Sequence, residues 1–159
     1  MSEDVFVAIE INFISIRLTV RGDSIDPYEV ARLLGVSCEA HGFKGESSRR
    51  NRVFDTNFFS WSVDGCGEGG YEHEMREAVG AFSAVVLPVA PRIRELSRTA
   101  EVVVNLALGC HGKAAHCDGW WLLDQGFTLN AATLGSLAEL GLRVHITEYV
   151  SIPDGEQEE

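Results

Sequence analysis

The segment Arg17–Gly35, RLTVRGDSIDPYEVARLLG, constrains the fold more than any other part of this chain. A β-branched, strand-like run ends at Gly22-Asp23, and a helix with both ends marked follows at once. Asp26 suits the N-cap, where a short side-chain oxygen accepts a free amide of the first turn. Pro27 suits the first helical position, and Glu29 lies at the positive end of the helix dipole. Val30, Leu33 and Leu34 form the apolar stripe, and Gly35 stops the helix. A strand that feeds an amphipathic helix through so short a turn calls for a layered structure with helix packed on sheet.

The pattern on either side extends that reading. Val5–Arg21 alternates as a strand, with Val7, Ile9, Ile11 and Phe13 on odd positions and Ile14, Ile16, Leu18 and Val20 on even ones. A bulge or bend near Phe13-Ile14 would keep both sets on one core, since a one-residue slip exchanges faces. Two shorter strands are the alternative. Val36–Asn57 is polar and loop-rich, with one short strand around His41–Lys44. Phe59, Trp61 and Val63 alternate with Ser60 and Ser62 as a half-buried strand. Tyr71–Val86 carries Met75, Val79, Phe82 and Val86 on one helical stripe. Pro88 and Pro91 then force a kink or a new start before a second helical piece ending near Ser97.

Glu101–Gly109 is a β-branched run suited to a central strand. Cys110–Asp124 reads as an irregular excursion. Asn130–Leu140 is a short helix using Leu134, Leu137 and Ala138, and Arg143–Tyr149 is the last strand. The expected fold is therefore α+β: a mainly antiparallel sheet with two main helices, Asp26–Gly35 and Tyr71–Ser97, on one face. Its β-α-β-β-α-β-α-β order suggests a ferredoxin-like variant with an added helix and strand. Ile16, Leu18, Leu33, Trp61, Phe82, Val104, Leu137 and Ile146 are the expected core.

Composition bounds the function. A chain of 159 residues matches one domain by size, here residues 1–151, followed by an acidic tail at 152–159 expected to be solvated and disordered. The net charge of −11 argues against nucleic acid and anionic membrane surfaces as partners. The acidic N-terminus is unlike a signal peptide, and no apolar run is long enough to span a bilayer. The cytoplasm is the expected location, with Cys38, Cys66, Cys110 and Cys117 as thiols rather than a disulfide framework.

Three patterns in this order resemble one bacterial family, catalogued as domain of unknown function 4279. They are the Gly22-Asp23 to Asp26-Pro27 opening with Val30 and Leu33-Leu34-Gly35, the aromatic strand Phe58-Phe59-Ser60-Trp61-Ser62, and the closing Leu137-Ala138-Glu139-Leu140-Gly141 with Val144–Tyr149. The resemblance spans Ile14 to about Val150 and implies an α+β fold and a bacterial source. It carries over no catalytic residue.

Four constellations carry possible chemistry. Gly65–Gly70 contains the spacing of a dinucleotide loop. Asp64, Glu68, Glu72 and Glu74 crowd it with carboxylates, and each like-charge contact at about 4 Å costs about 1 kcal/mol even in water. No nucleotide or other cofactor is therefore expected. Cys110, His111, His116 and Cys117 offer zinc-type donors, but without the usual Cys-x2–4-Cys clip. The insert is expected to be metal-free; if an ion binds, Cys110, His116 and Cys117 are the preferred ligands. Lys44, Arg49, Arg50 and Arg52 place four of the thirteen basic residues within nine positions, a local reversal of sign suited to an acidic ligand. Trp120 and Trp121 form an adjacent aromatic pair suited to a protein contact.

With no nucleophile elbow, P-loop or zincin motif, the sequence favours a non-catalytic binding module. One form of it is an inhibitor or immunity-type protein that covers a basic protein partner. The alternative is a small enzyme or metal-binding protein using the Cys110–Cys117 insert.

Overall fold

A computed structural model of the chain describes residues 6–9, 13–65, 71–109, 111–117, 120–126 and 129–149. Its elements are β1 (Phe6–Ile9), β2 (Ile14–Arg21), α1 (Pro27–Leu34), β3 (Ala40–Gly42), β4 (Phe58–Asp64), α2 (Tyr71–Val86), α3 (Ala90–Leu96), β5 (Glu101–Gly109), β6 (His111–Cys117), β7 (Trp120–Gly126), α4 (Ala131–Glu139) and β8 (Arg143–Tyr149). They form an α+β structure with one five-stranded sheet, in the order β3-β4-β2-β5-β8, and one three-stranded sheet, in the order β1-β6-β7.

The five-stranded sheet is antiparallel at three of its four pairings, and only β5 and β8 run parallel. Its centre is β2, where Leu18 lies opposite Trp61 on one side and Val104 on the other. β2 and β3 run the same way with β4 between them, joined through α1. β4 and β5 run the same way with β2 between them, joined through α2 and α3. The two crossovers thus interleave.

Alternation decides which face is buried. Ile14, Ile16, Leu18 and Val20 of β2 are buried, as are Val102, Val104, Leu106 and Leu108 of β5, while Arg17 and Arg21, on the alternate positions of β2, are exposed. Against these residues pack Val30 and Leu34 of α1, Met75, Val79, Phe82 and Val86 of α2, Ile93 of α3, Leu137 of α4 and Leu140 just after it, all in one cluster. Each fully buried Leu, Ile or Phe contributes about 1.5–3 kcal/mol from lost apolar exposure. The helices therefore line one side of the sheet, as the sequence patterns require.

The ends of α1 follow the chemistry read from the sequence. Asp26 Oδ1 accepts from the Tyr28 amide at 2.9 Å, and Gly35 adopts a left-handed φ of 68°. The long helical segment breaks into α2, a 3₁₀ turn at Leu87–Val89 and α3, with Pro88 and Pro91 at the two restarts. Pro has no amide to donate and cannot continue the preceding helix.

Five expectations need correction. The run Val5–Arg21 holds two shorter strands, the alternative reading, rather than one bulged strand: β1 pairs with β6 and β2 with β4 and β5, so the halves belong to different sheets. The change of phase at Phe13-Ile14 marks a change of pairing partner rather than a bulge. The excursion after Cys110 is a regular antiparallel hairpin, with Cys117 opposite Trp120 and His111 opposite Gly126. Ile146 is 46% exposed, because β8 is the edge strand in the sheet order and the helices cover the centre. Leu134 is likewise exposed; α4 turns Thr133 and Leu137 inward instead. Leu33 and Trp61 reach the core only as partly buried residues at its margin. Residues 66–70 of the glycine-rich loop and the tail at 152–159 lie outside the described residues.

Candidate anion-binding face

The side of the five-stranded sheet away from the helices carries the odd-numbered residues of β2. Arg17, Thr19 and Arg21 follow one another there, because side chains two apart in a strand share a face. The register sets Ser62 beside Arg17, Ser60 beside Thr19 and Phe58 beside Arg21, with Ala40 of β3 next to Ser60. These residues line a cavity of about 270 Å³. On the other flank of β2, Asn105 lies beside Arg17 and Glu101 beside Arg21. β8 adds Arg143 and His145 to the same face, in register with Val103 and Asn105. Thr147 Oγ1 donates to Asn105 Oδ1 at 2.8 Å. The face closes at its far end, where Ser15 and Ala107 are buried.

Arg17, Arg21 and Arg143 are exposed, and among the described residues none has a carboxylate within ion-pair distance. Three guanidinium groups on one polar face, unpaired among the described residues, stand out in a chain of net charge −11. Hydroxyls and guanidinium groups offer donors, and Arg in particular matches carboxylate or phosphate oxygens in pairs.

The basic stretch singled out by sequence is an ordered hairpin rooted at the edge of this face. Ser47 bridges Val53, and the Ser48 amide donates to the Arg52 carbonyl at 2.7 Å. Ser48 Oγ accepts from the Arg50 and Arg52 amides at 3.3 and 3.2 Å, while Asn51 takes φ 55° at the tip. Arg49, Arg50 and Arg52 are exposed on it. At its base the Phe54 ring meets the Phe58 ring edge-on, centroids 4.8 Å apart. Both rings crowd Gly42, where a Cβ would lie 2.5–2.6 Å from them. Phe58 also lines the cavity, so one aromatic pair ties the hairpin to the cationic face.

Lys44 separates from its three sequence neighbours. Its Nζ lies 2.6 Å from Asp23 Oδ2, so its charge is already matched. Trp120 and Trp121 stand in β7 opposite Cys117 and His116, and strand pairing does not join them to the five-stranded sheet. Cys110 lies outside the described residues; His116 and Cys117 are consecutive residues of β6. Among the described residues, no group of three or more His, Cys, Asp or Glu side chains could hold a metal ion.

Sequence reasoning missed Arg17 and Arg21. Their signal was present, since each alternates with a buried residue of the central strand. Their grouping with Ser60 and Ser62 depends on which strand pairs with β2, and no local pattern states that.

A larger groove of about 720 Å³ separates α1 from α3. Ile25, Val30, Leu33 and Leu96 are among its apolar lining, with Arg92, Arg98, Glu29 and Glu95 around them. Its charges are mixed, and Glu29 already pairs with Arg32 at 3.0 Å. Cys38, near the start of α1, donates from Sγ to the Pro27 carbonyl at 3.6 Å. Burial pushes its thiol up from the ordinary value, and the Asp26 carboxylate pushes it further. Cys38 is therefore poorly suited to act as a nucleophile.

The family model for the domain of unknown function DUF4279 matches residues 11–151. The chain belongs to this DUF4279 family. The match covers β2 to β8 and every residue of the cationic face. No curated protein and no solved structure matches the chain. Among the described residues, no helix of this DUF4279 member is long and apolar enough to cross a membrane.

Proposed function

We propose that the protein is a non-catalytic binding module that takes an anionic ligand or an acidic protein patch on its cationic sheet face. The observation that carries this reading is the pair Arg17 and Arg21, unpaired among the described residues and flanked by Thr19, Ser60 and Ser62. The Arg49–Arg52 hairpin, rooted beside Phe58, extends the same charge. The interleaved crossovers of β2, β3, β4 and β5 support a ferredoxin-like core with α4 and β8 added, within one domain over residues 1–151. A cytoplasmic bacterial setting completes the reading.

Inhibition of a basic partner, as by an immunity protein, would use the carboxylates instead and rests on the net charge of −11 alone. Catalysis at the Cys110–Cys117 insert rests on residue type alone. The cationic face has both a cavity and matched chemistry, so it is the stronger basis.

The test is capture of partners from the native host by wild type, by Arg17→Ala/Arg21→Ala and by Arg49→Ala/Arg50→Ala, each over a salt series. Binding should weaken in both double variants and fall from low to physiological salt, because exposed charges are screened beyond about 8–10 Å. Thermal stability should stay unchanged. A partner that ignores the substitutions and the salt would overturn the reading.

A further inference from the structure

The groups that line the cavity narrow the kind of anion it takes. Arg17 and Arg21 are four positions apart on one strand, about 13 Å at about 3.3 Å per residue, with Thr19 midway. Both line the cavity on either side of Thr19, so a guest over Thr19 lies between them. Ser60 and Ser62 add two hydroxyls along one flank. All five side chains can donate, and no carboxylate lines the cavity. A guanidinium carries five N–H donors and a hydroxyl one, whereas a carboxylate offers two oxygens with about four lone-pair sites. A phosphoryl group presents three strong acceptor oxygens and a charge of about −1.5 to −2 at neutral pH, arranged tetrahedrally. With three oxygens and more charge, it satisfies two guanidinium groups and the hydroxyl row more fully than a planar carboxylate does.

The rest of the lining sets what the phosphoryl group is attached to. Phe58 supplies an apolar ring beside Arg21. The volume, about 270 Å³, falls just under the range of about 300–1,000 Å³ typical of sites for drug-sized ligands. Space remains for a small organic group against Phe58. We propose that the cavity between Arg17 and Arg21 binds a small phosphate monoester, an assignment that rests on the anion-binding reading above. Glu101 of β5, paired beside Arg21, stands outside the lining and opposes the guest's charge.

The experiment is calorimetric titration of the full chain, in phosphate-free buffer, with phenyl phosphate, inorganic phosphate and benzoate. Phenyl phosphate should bind one to one and at least tenfold more tightly than benzoate. Arg17→Ala/Arg21→Ala should weaken it at least tenfold with an unchanged melting temperature. Arg17→Lys, which keeps the charge and loses the fork, should fall between. Glu101→Gln should tighten binding severalfold. Inorganic phosphate should bind more weakly than the ester, and Phe58→Ala should erase that difference.

Equal affinity for inorganic phosphate and the ester would overturn the monoester assignment and leave free phosphate as the guest. Equal affinity for benzoate and phenyl phosphate would overturn the phosphoryl assignment while anion binding stands. No binding of phenyl phosphate, with partner capture still dependent on Arg17 and Arg21, would likewise sink only the phosphoryl assignment. Tight phenyl phosphate binding that ignores both arginines would overturn the site itself, and with it the reading on which it rests.

Discussion

The indole of Trp61 lies stacked on the ring of Phe82, with centroids 5.5 Å apart and planes 19° from parallel. This contact joins the middle of β4 to the far half of α2. Phe82 is fully buried, while Trp61 stays partly open at the margin of the core. Large-to-small changes at such rings lose both transfer energy and packing. Phe82→Ala should destabilise by about 3–5 kcal/mol in urea denaturation, and Trp61→Ala by less, about 2–3 kcal/mol. An equal or larger loss at Trp61 would show that its ring carries more of the core than its exposure indicates.

Asn57 ties three segments at the top of the sheet. Its Nδ2 donates to the Ile25 carbonyl at 2.9 Å, its Oδ1 accepts from the Lys44 amide at 2.8 Å, and its own carbonyl accepts from the Gly22 amide at 3.0 Å. Only the first two bonds use the side chain. Asn57→Ala should therefore cost about 1–3 kcal/mol by leaving the Ile25 carbonyl and Lys44 amide without these partners. The loss is measured as a shift of the denaturation midpoint. Asn57→Asp keeps the acceptor for Lys44 but sets a carboxylate oxygen against the Ile25 and Asp23 carbonyls, so it should cost at least as much; a smaller cost would point to the Lys44 bond as the main tie.

Gly35 isolates a backbone effect. A Cβ there would meet nothing within 4 Å, yet its φ is 68°. Gly35→Ala should destabilise by about 1–2 kcal/mol through the left-handed conformation alone. Gly35→Asn should recover part of that loss, since Asn tolerates this region better. A neutral Gly35→Ala variant would show that α1 can end another way.

Cys38 should be slow to alkylate. Its thiol is raised, first by burial and then by the Asp26 carboxylate, so the thiolate is scarce where a free thiol is already ionising. Peptide mapping after iodoacetamide treatment should find Cys38 modified more slowly than glutathione between about pH 7 and 9. The sign for stability follows: the folded state holds this proton more firmly. Its contribution is present below the unfolded pKa and is lost as pH rises through the folded one. Asp26→Asn should bring the alkylation profile part of the way back to that of the free thiol. A rate equal to that of glutathione would show that the thiol is neither buried enough nor close enough to Asp26.

By itself the sequence determined what short-range chemistry can decide. Asp26, Pro27 and Gly35 set the bounds of α1, Pro88 and Pro91 broke the second helical segment, alternation in β2 and β4 identified the buried faces, and the apolar run of β5 marked a central strand. These signals act within a turn of helix or across neighbouring strand residues, so they are written locally. The tertiary structure decided what depends on partners far along the chain. It assigned Val5–Arg21 to two sheets, made a hairpin of the stretch after Cys110, and left Ile146 exposed on an edge strand. It also separated Lys44 from Arg49 and Arg50 by pairing it with Asp23. The grouping of Arg17 and Arg21 with Ser60 and Ser62 arose in the same way. Some forty residues separate those strands in sequence, and only their hydrogen-bonded register makes neighbours of them.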